Sequence, residues 1–503
     1  MNNNSEKSFV SRRAFLGTTA AAAAGITILP SNVIAGLGHK APSDKLNIVG
    51  VGVGGRGAGV FRGMETENII GLCDVDFRYS KGVFDRYPNA KTFKDWRKMY
   101  DELGKSMDAV MIATADHTHA ITAAHAMTMG KHIYCEKPLT HTVYESRLLT
   151  KLADKYKLAT QMGNQGSSNE GVSLTCEWLA NGEIGEVTRV EAFTDRPIWP
   201  QGLNRPEPGQ WVPETLDWDL FIGPSPMRPY HPLYTPWNWR GWWDFGTGAL
   251  GDMACHILHP VFVGLELGYP IKAQGSSTLL LNDCAPNAQM VKIVFPSRTP
   301  GRPWKGMKKG AALPAVEVTW YDGGLQPMKP EGWPAGKNMN VQGGGVIFHG
   351  TKDKLICGCY GAQPWLLSGR VPEAPKFRRR IEGQGAHMQD WVRACKESPE
   401  NRVKTASDFS EAGPFNEMVV MGVLAVRLQS LNKELEWDGQ NMKFTNIGAD
   451  EKIRTVVRDG FEINDGHPTF RKDWTEPASA QEFAAELIKH TYRKPWSLPA
   501  MPV

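Results

Sequence analysis

The sequence predicts an α/β protein in two parts, a doubly wound parallel sheet at the N-terminal end and then an α/β domain around a large, mostly antiparallel sheet. Three observations predict it. Short apolar runs alternate with helical stretches from residue 45 to about 165, the first run leads directly into a glycine-rich turn, and beyond residue 185 the period changes to strand-like runs. Regular alternation of strand and helix marks a parallel sheet, and a succession of strands marks an antiparallel one.

In chain order, residues 1–35 read as a removable targeting segment. "VSRRAFLGTTAAAAAGITILP" (10–30) has a polar start ending in Arg12 and Arg13, an alanine-dominated run to Leu29, and small residues around Ala35. A membrane-spanning helix needs about 20 strongly apolar residues, so no stable membrane insertion is expected. The order Ser11-Arg12-Arg13-Ala14-Phe15-Leu16 resembles the twin-arginine (Tat) signal of bacterial export, with Gly17 where lysine is usual. The resemblance implies a periplasmic protein, carried across already folded and with any cofactor in place.

Residues 45–165 form the first domain. The runs "KLNIVGVG", "NIIGLCDVD", "MDAVMIATA", "HIYCEKP" and "LATQMGN" read as parallel strands, with helices near 57–65, 92–103, 118–130 and 142–157. Residues 166–445 form the second. It holds a strand at "EVTRVEAFTD", a stretch rich in Pro, Trp and Gly from 196 to 251, and further strands at "AQMVKIVFP", "AVEVTWYD", "GGVIFHGT" and "KLICGCY". Two late helices, "GAHMQDWVRACKES" and "FSEAGPFNEMVVMGVLAVRLQS", are expected to pack on this second sheet. An open antiparallel sheet leaves one face bare, which predicts a homo-oligomer. Residues 446–503 are a C-terminal extension, expected to wrap a neighbour.

The net charge of +4 is spread over 57 basic and 53 acidic residues, with no basic block beyond "KFRRR", which argues against a nucleic-acid partner. The eight cysteines form no CxxC pair and no zinc spacing, so they read as buried free thiols and no metal site is expected.

"GVGGRG" supplies Gly52, Gly54, Gly55, Arg56 and Gly57 in a GxGxxG pattern after a strand and before a helix. Glycines there permit a tight turn and let a pyrophosphate approach the helix N-terminus. This is the dinucleotide fingerprint of a Rossmann domain. Asp74 ends the next strand, where a carboxylate takes ribose hydroxyls. With Asp76 two residues on, it favours NAD over NADP, although Arg78 lies nearby. Asp76 also reads as a solvated loop acid.

Three segments carry the chemistry. "ATADHTHA" ends the third main strand and "YCEKPLT" the fourth, and "GTGALGDMACHILHP" sets Asp252 and His256 four apart on one helix face. The sequence Glu136-Lys137-Pro138, the glycine fingerprint and the downstream D-x-x-x-H together resemble the Gfo/Idh/MocA oxidoreductases over about residues 45 to 445. The resemblance implies that Lys137 is a catalytic or positioning residue near the nicotinamide, and that Thr114, His119 and Glu136 lie beside the cofactor. Ala115 stands where the family often has proline. The peptide before Pro138 is a candidate for a cis bond. His256 is the expected base, because its pKa suits removal of a carbinol proton. Asp252 would orient it or bind a sugar hydroxyl. In "TPWNWRGWWDFG", the aromatic faces of Trp239 and Trp242 with Arg240 are candidates for a sugar site, as is Asn164 beside Gln165 at a strand end.

The expected function is an exported NAD-dependent oxidoreductase acting on a hydroxyl of a carbohydrate or cyclitol. The periplasm offers no free NAD pool, so the cofactor is expected to be non-dissociable and recycled in place. The alternatives are an NAD-dependent glycosidase or lyase, working by oxidation, elimination, hydration and re-reduction, and a non-catalytic sugar-binding protein.

Overall fold

The first sheet has six parallel strands: β1 (Asn47–Val51), β2 (Asn68–Cys73), β3 (Lys91–Phe93), β4 (Ala109–Ile112), β5 (His132–Cys135) and β6 (Thr160–Met162), in the order β3-β2-β1-β4-β5-β6. The computed structural model describes residues 44–308 and 310–502, so the predicted targeting segment lies outside the described residues. The order reverses between β1 and β4, and a crevice opens at the carboxyl ends of these strands. Both faces are covered, which is why β4 is buried along its whole length. Helix Val143–Lys155 begins in a capping box, with Thr142 and Glu145 bonding reciprocally to each other's backbone.

Helix Phe77–Arg86 and strand β3 escape the sequence reading. That helix buries only Ser80 and Val83, so its apolar stripe is thin, and its start is set by the Asp76 cap. Strand β3 occupies the beginning of the helix expected at 92–103. That helix starts instead at Trp96, behind an Asp95 cap.

The second sheet has nine strands: β7 (Val187–Thr194), β8 (Lys272–Ser277), β9 (Gln289–Phe295), β10 (Val316–Tyr321), β11 (Gly344–Gly350), β12 (Lys354–Gly358), β13 (Trp365–Leu366), β14 (Leu435–Asp438) and β15 (Lys443–Phe444). They run in the order β13-β12-β11-β7-β10-β9-β8-β14-β15, and β7 with β10 is a parallel pair within an otherwise antiparallel arrangement. Val291, Ile293 and Phe295 of β9 and Val318 and Trp320 of β10 point into the core, and the alternate residues Met290 and Glu317 point outward and are exposed. Strand β8, "KAQGSS", lacks an apolar run. It is set by helix Phe409–Arg427, whose backbone comes so near that a Cβ on Gly275 would lie 2.6 Å from the Val426 amide.

Helix Ala386–Lys396 corrects the expectation that both late helices pack on the second sheet. It returns to the first sheet, where Trp391 joins the apolar cluster of Ile48, Phe61 and Tyr134 and donates to the Ala159 carbonyl. Its Gln389 also donates to the Gly63 carbonyl at 2.6 Å. The last part of the C-terminal extension packs on its own chain. Hairpin Val456–Asn464 and His467–Trp474 stands out with Phe461, Ile463 and Phe470 exposed. After helix Ala480–Ile488, the tail crosses back to the first domain, where the Ser497 carbonyl accepts from His125 Nε2 at 3.1 Å.

Candidate active site

A cleft of about 410 Å³ opens at the carboxyl ends of β1, β2, β4 and β5 and is closed on its far side by the helix Gly248–Ile257. At its floor the chain turns immediately after β1. Gly52 takes φ +75°, and a Cβ there would lie 2.7 Å from the Ala113 carbonyl at the end of β4. A Cβ on Gly57 would lie 2.2 Å from the Gly52 oxygen. Only glycine allows so close an approach of turn, strand and helix. Helix Arg56–Arg62 starts with no side-chain cap, and its Gly57 amide donates to the Gly54 carbonyl at 3.0 Å.

Asp74 faces this turn from the end of β2. Its Oδ2 accepts from the Gly54 amide and its Oδ1 from the Asp76 amide, both at 3.0 Å, and burial raises its pKa. A carboxylate has about four lone-pair sites, so both oxygens keep acceptor capacity for hydroxyls. Asp76 is no solvated acid. It is buried, caps the helix Phe77–Arg86 and takes the Thr215 hydroxyl at 3.0 Å. Segment 215–217 clamps the same turn, with the Phe77 amide on the Thr215 carbonyl and the Asp217 amide on the Val75 carbonyl. The long Pro- and Trp-rich stretch therefore builds part of this end of the cleft, which no local motif announces.

At the other end, β5 delivers Glu136 and Lys137, and the Lys137–Pro138 peptide is cis. Lys137 Nζ donates to Asp252 Oδ1 at 2.7 Å and to the Asp252 carbonyl at 3.1 Å. Arg240 Nε reaches the same Oδ1 at 3.1 Å. Burial alone would raise the pKa of Asp252, but the two cations outweigh it and hold the carboxyl well below the usual range. Asp252 is therefore engaged with Lys137 and Arg240. His256, one helical turn on, packs against Tyr360, with ring centroids 4.6 Å apart and the rings tilted by 52°. Burial, reinforced by Lys137, keeps His256 far below its ordinary pKa, so the imidazole is neutral at pH 7. Its Nδ1 has no hydrogen-bond partner among the described residues.

Glu136 accepts from Arg56 at 3.1 Å and from Gln165 at 3.0 Å, which ties the glycine turn to the end of β5. Thr114 lines the cleft. Asp116 anchors the far wall by accepting from the Thr247 amide and hydroxyl at the start of helix Gly248–Ile257.

The tryptophan cluster divides. Trp239 lines the cleft with the half-exposed Trp237, and the Arg240 guanidinium lies 4.3 and 3.8 Å from their ring centres. Trp242 does not line it. It is fully buried and donates to the Leu233 carbonyl, a core residue. Asn164 is also fully buried away from the cleft wall, while its neighbour Gln165 lines it. His119 stands behind the wall, its ring nitrogens facing the Pro138 and Thr114 carbonyls at 2.8 and 3.1 Å, and it positions both segments. Gly57 likewise acts behind the surface. Sequence reasoning misses Tyr360, which takes φ +61° and ψ +19°, a left-handed conformation rare for a residue with a side chain. The glycine-flanked "GCYG" is the one local hint of that turn.

Comparison with known proteins follows the same division of the chain. Residues 45–164 match the family model described as oxidoreductase family, NAD-binding Rossmann fold (GFO_IDH_MocA), and residues 184–277 match that of its C-terminal alpha/beta domain. Levoglucosan dehydrogenase of Pseudarthrobacter phenanthrenivorans is 28% identical over 174 residues, 34% of this chain and 36% of that protein. Inositol 2-dehydrogenase of Salmonella typhimurium is 27% identical over 149 residues, 28% of this chain and 43% of that protein. The chain thus matches less than half the length of either relative. The WlbA dehydrogenase from Chromobacterium violaceum, solved with NADH and UDP-GlcNAcA, shares the fold with a TM-score of 0.53 at 16% identity, over 82% of this chain and 99% of that one.

Proposed function

We propose, on the premise that the chain belongs to the Gfo/Idh/MocA oxidoreductases, that it is an NAD-dependent enzyme acting on a hydroxyl-bearing carbon of a sugar or cyclitol. One observation carries the reading. A charged, ion-paired Lys137 and a neutral His256 line the same cleft as the glycine turn and Asp74.

These residues fit a nicotinamide dinucleotide. The turn at Gly52 and Gly54 with the uncapped start of helix Arg56–Arg62 would hold the pyrophosphate, and Asp74 the adenosine ribose. The occupied Asp76 and the buried Asp74 favour NAD over NADP, since a 2′-phosphate would meet carboxylate on that side. Bound there, the nicotinamide supplies the acceptor or donor of hydride. The chain's own residues handle the proton. A lysine ammonium has three N–H donors, and Lys137 spends two on Asp252, which leaves one for a substrate oxygen. His256, neutral at pH 7 and lining the cleft, accepts the carbinol proton or returns it. Asp252 aims the ammonium, and Arg240 with Trp237 and Trp239 offers a polar and an aromatic surface to the rest of a polyol.

The test is the absorbance of reduced nicotinamide in the purified protein, before and after a panel of sugars and cyclitols is added. A spectral change with a subset of them supports the reading, and none with any, in protein that holds NAD, counts against it. Nitrophenyl glycosides assayed without added NAD identify the glycosidase cycle. Export by the Tat route, a cofactor that is retained and recycled, and a homo-oligomer paired through the bare face of β8 to β10 complete the proposal. Light scattering at micromolar concentration tests the last.

A further inference from the structure

The end of the cleft beyond Asp74 is walled by a part of the chain far from either domain signature. Trp496, in the C-terminal tail, is 7% exposed and lines the cleft together with Trp96, Lys94 and Leu220. Its ring centre lies 6.2 Å from that of Trp96, and the Arg97 guanidinium lies 4.2 Å over its face. The tail is fastened just before this residue and, through the Ser497 carbonyl on His125, just after it. Arg493 donates from its amide to the Pro224 carbonyl and from its side chain to the Gly223 carbonyl and the Asp219 carboxylate, at 2.8 to 3.1 Å. Tyr492 donates to Glu145 at 2.6 Å.

Asp219 and Gly223 belong to the same strip whose Thr215 and Asp217 clamp the turn carrying Asp74 and Asp76. Strip and tail form one hydrogen-bonded unit that adds two walls to the slot beside Asp74, one from Leu220 and Phe221 and one from Trp496. An aromatic and apolar end of the cleft, next to the Asp74 carboxylate, suits a purine base, because any base offers a π-face to stack.

We propose that the C-terminal tail is a cofactor-binding element, with Trp496 beside Trp96 lining the end of the cleft that takes the adenine of the dinucleotide, and that it is what retains the cofactor. The inference rests on reading the cleft as an NAD site. It assigns the extension a role within its own chain, at the end of the cleft opposite to Lys137.

The experiment uses the full-length protein and its Trp496→Ala and Trp496→Phe variants, each first shown to unfold cooperatively. Release of NAD from loaded protein is followed after dilution into charcoal, and ADP-ribose and nicotinamide mononucleotide are titrated calorimetrically against the stripped protein. Trp496→Ala should speed NAD release and weaken ADP-ribose by about tenfold or more, leave nicotinamide mononucleotide unchanged, and be largely rescued in Trp496→Phe. Unchanged ADP-ribose affinity in Trp496→Ala overturns the inference and leaves the cofactor site standing. Equal loss of ADP-ribose and nicotinamide mononucleotide also overturns it, since the tail would then support the fold at large. A wild-type protein that binds neither NAD nor ADP-ribose overturns the cofactor reading itself. If Trp496→Ala does not fold, Trp496→Leu, which keeps apolar volume and loses the ring, takes its place with the same outcomes.

Discussion

The ammonium of Lys137 lies 2.7 Å from Oδ1 of Asp252, a residue 115 positions further on and in the other sheet's domain. The two side chains are 13% and 12% exposed, so the pair is largely removed from water. It joins the end of β5 to helix Gly248–Ile257 at the centre of the cleft and helps hold the Asp252 carboxyl well below its usual range.

Arg240 shares that carboxylate, and this sets an order of stability. Asp252→Asn leaves two buried cations uncompensated, whereas Lys137→Met leaves the Arg240–Asp252 pair intact. Breaking a buried pair costs roughly 3 to 5 kcal/mol, so Asp252→Asn should fall in that range and Lys137→Met well below it. Urea midpoints of the two variants check this, and an equal or reversed order contradicts it.

His256→Ala should slow reduction of bound NAD by about 10² to 10⁴ without releasing it. Burial keeps the wild-type imidazole neutral, so the acid limb of the rate should lie well below pH 6.5. Combined with Lys137→Ala, the loss should be less than multiplicative, because the two groups act on one proton. Single-turnover rates with measured occupancy decide it, and a fully multiplicative double variant would place the two residues in separate steps.

Asp74→Asn removes the charge at the ribose end and keeps the shape of the turn. NAD retention should weaken, with a charge-assisted hydrogen bond worth about 1.5 to 3 kcal/mol, and discrimination against NADP should relax. Nucleotide content after gel filtration and competition by NADP measure both effects. An unchanged NAD content would exclude Asp74 as the ribose ligand.

Burial lowers His117, His141 and His490 to about 3 and His119, His132 and His387 to about 4. The unfolded chain takes these protons first, so the stability they contribute is present above about pH 6.5 and is lost as pH falls toward 4. Asp116, Glu145 and Asp322, raised by burial to about 7, work in the opposite sense and offset part of it. The Tm should therefore fall between pH 7 and pH 5, and His141→Gln should flatten the fall. A flat profile in the wild type would mean that the acids fully cancel the histidines.

Replacing Arg12 and Arg13 by lysine together should leave precursor in the cytoplasm, as seen by fractionation. Normal export of the double variant would count against the Tat reading.

The sequence by itself determined the two-part α/β architecture, the glycine turn, Asp74, Lys137 and the helix face shared by Asp252 and His256. Lys137 rests on the resemblance carried by Glu136-Lys137-Pro138; the others depend on local periodicity or on a backbone conformation that only certain residues adopt, such as φ +75° at Gly52. Tertiary structure alone decided which partner each polar group takes and which aromatic faces the cleft. Trp239 and Trp242 stand in one run of similar residues, yet the first lines the cleft and the second is core. Asp252 meets Lys137 and Arg240, helix Ala386–Lys396 returns to the first sheet, and Trp496 reaches the rim beyond Asp74. These contacts join residues far apart in the chain and are selected by packing and charge compensation in the folded state, so no stretch of local sequence encodes them.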